Sequence, residues 1–277
     1  MSVIKSIILS FSMFSSIPVP QVQWNEKNMR YMMCAFPFVG LVIALLCAAW
    51  FTFGLQIMFV WKKPVFLPLF ALGFTLIPPA ISGGIHLDGF MDTCDALGSH
   101  GSREKKLEIL KDSHSGAFAV LSCTIYFLAY FVLSMELYGL FFSAATSLRF
   151  ENLFSRFACA SPVLSIFFIS RLLSSLAVAI FPVAKDSGLL HAFSSASAKN
   201  ITIVFCLFFF MLTAVLLIFF TNFLGIAMIA TSLSFFCFYF VVALRNFGGI
   251  TGDTAGWFVQ ISEILGLAVF VIMNGAR

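Results

Sequence analysis

Residues 201–221 read ITIVFCLFFFMLTAVLLIFFT, and after Asn222 a second run, Phe223 to Leu244, is nearly as apolar. Neither contains an acid or a base. A helix of about 20 apolar residues crosses the hydrocarbon of a bilayer with every backbone group bonded inside the segment. Two such runs one residue apart predict a tight helical hairpin in lipid. The rest of the chain agrees: of 277 residues, 61% are hydrophobic and only 10% charged, with a mean hydropathy of +1.03. Ordinary globular proteins carry about 25% charged residues. A soluble enzyme, a disordered chain and a secreted disulfide scaffold are thereby excluded. The expected fold class is an all-α polytopic integral membrane protein with about seven transmembrane helices, an N-terminal re-entrant or interfacial helix and an interfacial amphipathic helix. That length leaves no room for a large soluble domain.

Outward from the hairpin, Phe258 to Met273 forms the last span, and Phe157 to Ala184 crosses before the Ser-rich loop Lys185 to Asn200. Toward the N-terminus, Ala117 to Met135 spans, followed by a shorter apolar piece, Phe141 to Phe150, and a polar break with Arg149, Glu151, Asn152 and Arg156. Tyr31 to Val60 and Val65 to Ile81 form a pair about a turn at Lys62-Lys63-Pro64, and the first twenty residues end at Ile17-Pro18-Val19-Pro20, where proline stops a helix. Four crossings separate the polar stretch Ser82–Ser115 from Arg245–Trp257, so both face one side. That side holds Lys5, Lys27, Arg30, Arg103, Lys105, Lys106, Lys111, Lys185, Lys199 and Arg245; the other holds Lys62, Lys63, Arg149, Arg156 and Arg277. The richer side is expected to be cytoplasmic. A net charge of +4 is too small to indicate nucleic acid, and seven scattered Cys without a C-x-x-C pair suggest neither disulfides nor zinc.

Six of the twelve carboxylates, Asp88, Asp92, Asp95, Glu104, Glu108 and Asp112, fall in one short stretch. Asp88, Asp92 and Asp95 are spaced i, i+4, i+7, which gathers them within about 60° on one helical face. Three carboxylates there repel one another unless a cation intervenes. Mg²⁺, a hard ion that bridges carboxylates to substrate phosphates, fits that need. A solvated acidic loop is the structural alternative. Gly83-Gly84 and Gly89 permit close backbone approach, and His86 reads as a ligand, a proton carrier or simply a hydrogen-bonded ring. The stretch Arg103 to Ser113 reads as an interfacial amphipathic helix whose cations could hold phosphate.

A second constellation, Gly248-Gly249-Ile250-Thr251-Gly252-Asp253-Thr254, precedes the last span. Glycine-rich turns opening a helix offer N–H groups to an anion; an ordinary N-cap by Thr251, Asp253 or Thr254 is the alternative. Arg171, a cation inside an apolar segment, is either a phosphate clamp or the partner of an internal acid such as Glu263.

The blocks Gly83-Gly84-Ile85-His86-Leu87-Asp88-Gly89-Phe90-Met91-Asp92-Thr93-Cys94-Asp95 and Arg103 to Ser113 with Gly116 resemble the signature of the cobalamin synthase family, the adenosylcobinamide-GDP ribazoletransferases. The likeness extends to Ile17–Pro20, Phe36-Pro37-Phe38-Val39-Gly40, Ser170-Arg171-Leu172, Ala184–Leu189 and Gly248–Thr254. The resemblance implies a multi-pass enzyme of the bacterial cytoplasmic membrane, a single membrane-embedded catalytic domain over residues 1–277 with its active site built from 82–116 and 245–257. It implies an Mg²⁺-dependent transfer that joins adenosylcobinamide-GDP to α-ribazole or its 5′-phosphate and releases GMP.

Residue pattern and resemblance together nominate Asp88, Asp92, Asp95 and Asp253 as metal ligands and catalytic groups, with Lys111 and His86 also catalytic. They nominate Arg103, Asp112, Ser113, Arg171, Lys185, Thr251 and Gly252 as substrate contacts. The partners implied are the two small-molecule substrates and the lipid bilayer, with self-association left open. The sequence departs from the family pattern at Ser16 and His114, where Arg is usual, and at Gln260, where Glu is usual. Gly84-x-x-x-Asp88-x-x-x-Asp92 also matches half of the CDP-alcohol phosphotransferase pattern, but no Asp-Gly-x-x-Ala-Arg precedes it. A cation or metabolite transporter would place its carboxylates near mid-bilayer, whereas these fall between spans.

Overall fold

The computed structural model describes residues 2–61, 64–147, 153–184 and 189–275. The described residues form α1 (Ser2–Phe14), α2 (Glu26–Met29), α3 (Met32–Trp61), a short 3-10 turn (Pro64–Phe66), α4 (Leu67–Ile81), α5 (Ile85–Gly98) and α6 (Arg103–Ile109). After these come α7 (Ala117–Ser147), α8 (Leu153–Ile180), α9 (Leu189–Ala196), α10 (Lys199–Thr221), α11 (Phe223–Phe247) and α12 (Gly252–Gly275). Helices α3, α7, α8, α10, α11 and α12 are long and apolar enough to cross a membrane, and α4 with α5 makes a seventh, broken candidate bent by 91°. The fold is the all-α polytopic membrane architecture expected. Helix α1, with 13 residues, rises only about 20 Å, too short for a hydrocarbon layer of about 30 Å.

The bend between α4 and α5 has a local cause. Gly83 and Gly84 stand at φ +63° and +78°, a left-handed conformation that costs other L-residues about 1–2 kcal/mol each. The chain leaves α4 sideways, and α5 turns to pack against α12 and α7. Two glycines then let α5 press against α12. A Cβ on Gly89 would stand 2.8 Å from the Asp253 Cα, and one on Gly256 would stand 2.9 Å from the His86 carbonyl oxygen. Elsewhere, Gly40 of α3 lies against the Phe167 carbonyl of α8, so these two helices also meet through a missing side chain.

Polar backbone groups tie together the end of the bundle where α5 lies. The Ser16 N–H donates to the Ile81 carbonyl (2.8 Å), Ala198 to Arg30 (3.0 Å), Ile250 to Pro182 (2.8 Å) and Ala184 to Ile250 (3.0 Å). Gly248 closes α11 in the left-handed conformation, its N–H donating to Leu244 and that of Gly249 to Ala243, a Schellman-type ending.

Three expectations change. Helix α7 runs unbroken to Ser147, so Phe141 onward continues the span that was expected to stop at Met135; nothing in 136–147 breaks an α-helix. The last helix begins at Gly252, not near Phe258, because Thr251 caps it. The Ser-rich stretch 185–200, expected as a loop, holds α9 and the start of α10, while the helices expected in 82–115 are present as α5 and α6. Lys62, Lys63, Arg149, Glu151 and Asn152 lie outside the described residues.

Candidate active site

A cavity of about 430 Å³ opens where α5, the 110–112 turn and the start of α12 meet. Asp88 and Lys111 line it from one side; Thr251, Gly252 and Asp253 line it from the other. Both segments expected to build one site thus reach the same cavity. That volume is within the range of about 300–1,000 Å³ usual for small-molecule sites.

The 251–254 turn is both a cap and a wall. The Thr254 N–H donates to the Thr251 hydroxyl (3.1 Å) and the Thr251 N–H to the Thr254 hydroxyl (2.9 Å), a reciprocal arrangement like a capping box. The N-cap reading and the anion-site reading are therefore compatible, since Gly252 and Asp253 at the free first turn still face the cavity. The Thr251 hydroxyl also donates to an Asp253 carboxylate oxygen (3.4 Å).

The aspartate trio divides. Helix α5 puts all three on one stretch of helix, but Asp88 alone of them lines the cavity. Asp92 lies deeper: burial, reinforced by the charges of Asp88, Asp253 and Asp95, pushes its carboxyl up to about 6. Asp95 is turned toward α7. One of its oxygens accepts from the Ala119 N–H (3.4 Å), and its carboxylate fills the space a side chain at Gly116 would need. Expected as a ligand, it sits as an acceptor for the opening turn of α7, where a negative charge meets unbonded N–H groups.

The residues suit Mg²⁺ in a particular way. Among the described residues no three His, Cys, Asp or Glu side chains converge as a ready metal cage, and no cation pairs with Asp88, Asp92 or Asp95. Mg²⁺ keeps several waters and takes one or two carboxylates plus substrate phosphates. Asp88 and Asp253 at the cavity wall, with Asp92 behind them in mutual repulsion, match that donor chemistry better than a closed site would.

His86 lies buried beside Phe14 and Phe36, with ring centroids 6.0 and 5.3 Å away. Burial first, and the Arg171 charge second, pull it down to about 3. The residue is one of those that line the cavity.

Four expected substrate contacts stand apart from the cavity. Arg171 and Glu263 are both fully buried and joined through Nη1 and Oε1; the same Arg171 nitrogen donates to the Phe167 carbonyl and the Ser170 hydroxyl, each at 3.1 Å. Of its two readings, the internal ion pair is the one formed. Arg103 donates to the Leu244 carbonyl (3.2 Å), its guanidinium over Gly248, and so caps the end of α11 with Lys106, which donates to Asn246 (2.7 Å). Asp112 accepts from the His114 N–H (3.0 Å) and bonds its ring nitrogen (2.8 Å); the backbone bond foremost, then the ring, holds its carboxyl below the usual range. Ser113 is exposed. Lys185 lies outside the described residues. Sequence reading missed the cavity's other half, formed by Met13, Phe14, Met33, Phe36, Phe193 and their neighbours. With 37 Phe in the chain, no single one stands out.

A polytopic helical membrane protein in which a helix bent 91° from its predecessor and the N-terminus of a long apolar helix wall a carboxylate-bearing cavity has the features of a membrane-embedded enzyme. The sequence model described as cobalamin-5-phosphate synthase matches residues 6–271, and the chain belongs to that family. It is 38% identical over 270 residues to an adenosylcobinamide-GDP ribazoletransferase of Lachnoclostridium phytofermentans, covering 97% of this chain and 94% of that one. An enzyme of the same name from Clostridium perfringens is 32% identical, covering 97% and 98%, and one from Fusobacterium nucleatum is 28% identical, again covering 97% and 98%. No solved structure matches the chain. Membership makes the chain a transferase of cobalamin biosynthesis.

Proposed function

We propose that this protein joins adenosylcobinamide-GDP to α-ribazole, or to its 5′-phosphate, releasing GMP, with Mg²⁺ as cofactor and the bacterial cytoplasmic membrane as its site. The carrying observation is the single cavity that Asp88 and Lys111 share with Thr251, Gly252 and Asp253. The count from the sequence, ten basic residues on the side assigned to segments 82–115 and 245–257 against five on the other, supports a cytoplasmic opening. The catalytic unit is then one membrane-embedded domain, with segments 82–116 and 245–257 as its working parts.

In this reading a ribose hydroxyl oxygen of α-ribazole attacks the phosphorus nearer the cobinamide. The new P–O bond forms, the bond to the bridging oxygen breaks, and GMP leaves with that oxygen. Asp253, within the first turn of α12, takes the hydroxyl proton. The α12 N-terminus and Lys111 hold pyrophosphate oxygens, as helix N–H groups and ammonium groups do. Asp88, Asp253 and Asp92 would hold Mg²⁺, which when bound neutralises charge developing on the pyrophosphate. Phosphoryl transfer of this kind is chiefly positioning and electrostatics, and the tight α5–α12 crossing supplies the positioning.

The test is protein in nanodiscs supplied with adenosylcobinamide-GDP, α-ribazole and Mg²⁺, scored by GMP release. Release is expected to need both substrates, to stop with chelator and to fall in Asp253→Asn. Release that ignores chelator and survives both Asp88→Asn and Asp253→Asn refutes this reading.

A further inference from the structure

Segment 102–115 brings Lys111 to the cavity, yet little fastens that segment to the bundle. Its helix, α6, has seven residues and none of them is buried. Among the described residues, two hydrogen bonds leave the segment: Arg103 Nη2 donates to the Leu244 carbonyl (3.2 Å), and Lys106 Nζ donates to the Asn246 side-chain oxygen (2.7 Å). Both end on the last turn of α11.

The two surfaces match. Arg103 and Lys106, three residues apart, share a face of α6, and they meet the C-terminus of a 25-residue helix, where the dipole favours cations. Gly248 leaves room for the guanidinium, since a Cβ there would stand 2.8 Å from the Arg103 Cζ. Asn246 is itself held: its Nδ2 donates to the Val242 carbonyl (3.0 Å), which leaves its oxygen for Lys106. Lys106 and Asn246 are both half-buried, so water competes less for their bond than for that of the exposed Arg103.

From this bond the chain runs five positions to each wall of the cavity, from Lys106 to Lys111 and from Asn246 to Thr251. On the first path the backbone is bonded throughout: the Leu110 N–H donates to the Lys106 carbonyl (3.2 Å), Lys111 to Glu108 (2.9 Å) and Asp112 to Ile109 (3.0 Å). On the second, Ile250 is pinned to Pro182 and Ala184 before the Thr251–Thr254 cap begins. Neither Lys106 nor Asn246 lines the cavity, so whatever they do for the reaction passes through the residues they hold.

We infer that Lys106 and Asn246 are positioning residues for the proposed transfer: their bond sets the Lys111 ammonium opposite the Thr251–Asp253 turn, so that both hold one pyrophosphate. This rests on the reading above, in which Lys111 and the α12 N-terminus bind the pyrophosphate, and adds what fixes their separation.

Two measurements on protein in nanodiscs test it: calorimetry with inorganic pyrophosphate and Mg²⁺, and separate KM values for the two substrates. Lys106→Met removes the donor and keeps the stem; Asn246→Leu removes the acceptor and keeps the Lys106 charge. Each is expected to weaken pyrophosphate binding severalfold, to raise the KM for adenosylcobinamide-GDP and to lower kcat/KM about tenfold, with the KM for α-ribazole unchanged. The double variant should be no worse than either single one, and Lys106→Arg should recover most of the loss. Added to Lys111→Met, Lys106→Met should cost nothing further.

A loss in Lys106→Met that Asn246→Leu does not share, or that persists in full beside Lys111→Met, means that Lys106 acts by its own charge or through the fold at large, and overturns the inference. Unchanged turnover and pyrophosphate binding in both single variants overturn it too, and leave the reaction standing. Pyrophosphate binding that follows the expected pattern in protein that releases no GMP keeps the pair and removes the reaction.

Discussion

Helices α8 and α10 are comparable apolar spans, yet they occupy opposite situations. Within the most apolar part of each, 83% of α8 is buried against other helices and only 22% of α10. Burial does not follow apolarity, since α10 is the more apolar of the two and lipid tails and a protein core are similar solvents for leucine. Polarity and size separate them. Buried in α8 are Ser165, Ser170, Arg171, Ser174 and Ser175, whereas α10 turns Val204, Leu207, Phe208, Met211 and Val215 outward. Small and hydroxyl-bearing side chains allow close helix contact where no hydrophobic force acts between helices. Of the long apolar helices, the candidate cavity draws on α3, α8 and α12, beside α1, α5 and α9, and takes nothing from α10.

Substitutions at inner and outer positions should separate accordingly. The largest stability loss is expected at Glu263→Ala, which leaves the Arg171 charge buried and unpaired, at about 3–5 kcal/mol; thermal unfolding in detergent measures it, and a small loss would mean that Arg171 reaches water. Next comes Asp88→Asn, expected to lower GMP release by at least about 10²-fold while the unfolding midpoint stays put. Gly89→Val comes third. Its side chain would strike the Asp253 backbone, and spreading the α5–α12 crossing should reduce turnover about tenfold or more with helix content intact, since small misplacements of reacting groups are costly.

A smaller effect is expected from Asp92 without divalent cation. Its carboxyl is raised to about 6, so the folded protein favours the protonated form. That contribution to stability is complete below the ordinary carboxylate pKa of about 4 and is lost as pH rises through about 6. Asp92→Asn should flatten that slope, worth about 1 kcal/mol after solvent screening, and added Mg²⁺ should reduce the wild-type slope. Least of all, Phe208→Ala on lipid-facing α10 should change both stability and rate within about 0.5 kcal/mol. A large effect there would erase the distinction between the two helices.

The sequence already contained the spans, because twenty apolar residues in a row have few other uses. It also showed that residues 82–116 and 245–257 share a side, since parity needs only a count of crossings. The 91° bend was half visible: Gly83-Gly84 marked a place where the chain could turn, but the direction depends on the two φ values. The division of the aspartates was hidden, because helical spacing fixes relative angle and not which neighbour each side chain meets. Asp95 lies toward α7 because Gly116 leaves room there. The pairing of Arg171 with Glu263 joins residues 92 positions apart, and the cavity lining takes Phe14, Phe36 and Phe193 from three separate helices. Local pattern carries neither kind of information.

The bonds of Ser16 to the end of α4 bear on how the chain is made. Its N–H reaches the Ile81 carbonyl and its hydroxyl the Ala80 carbonyl, partners synthesised 65 and 64 residues later. Those two bonds form only once the second hairpin arm has emerged, whereas Ser6 of the same helix already meets the Asn28 carbonyl, so Phe14 at its end is fixed later than the helix that carries it. The wall of the cavity that Phe14 forms is therefore completed late in synthesis.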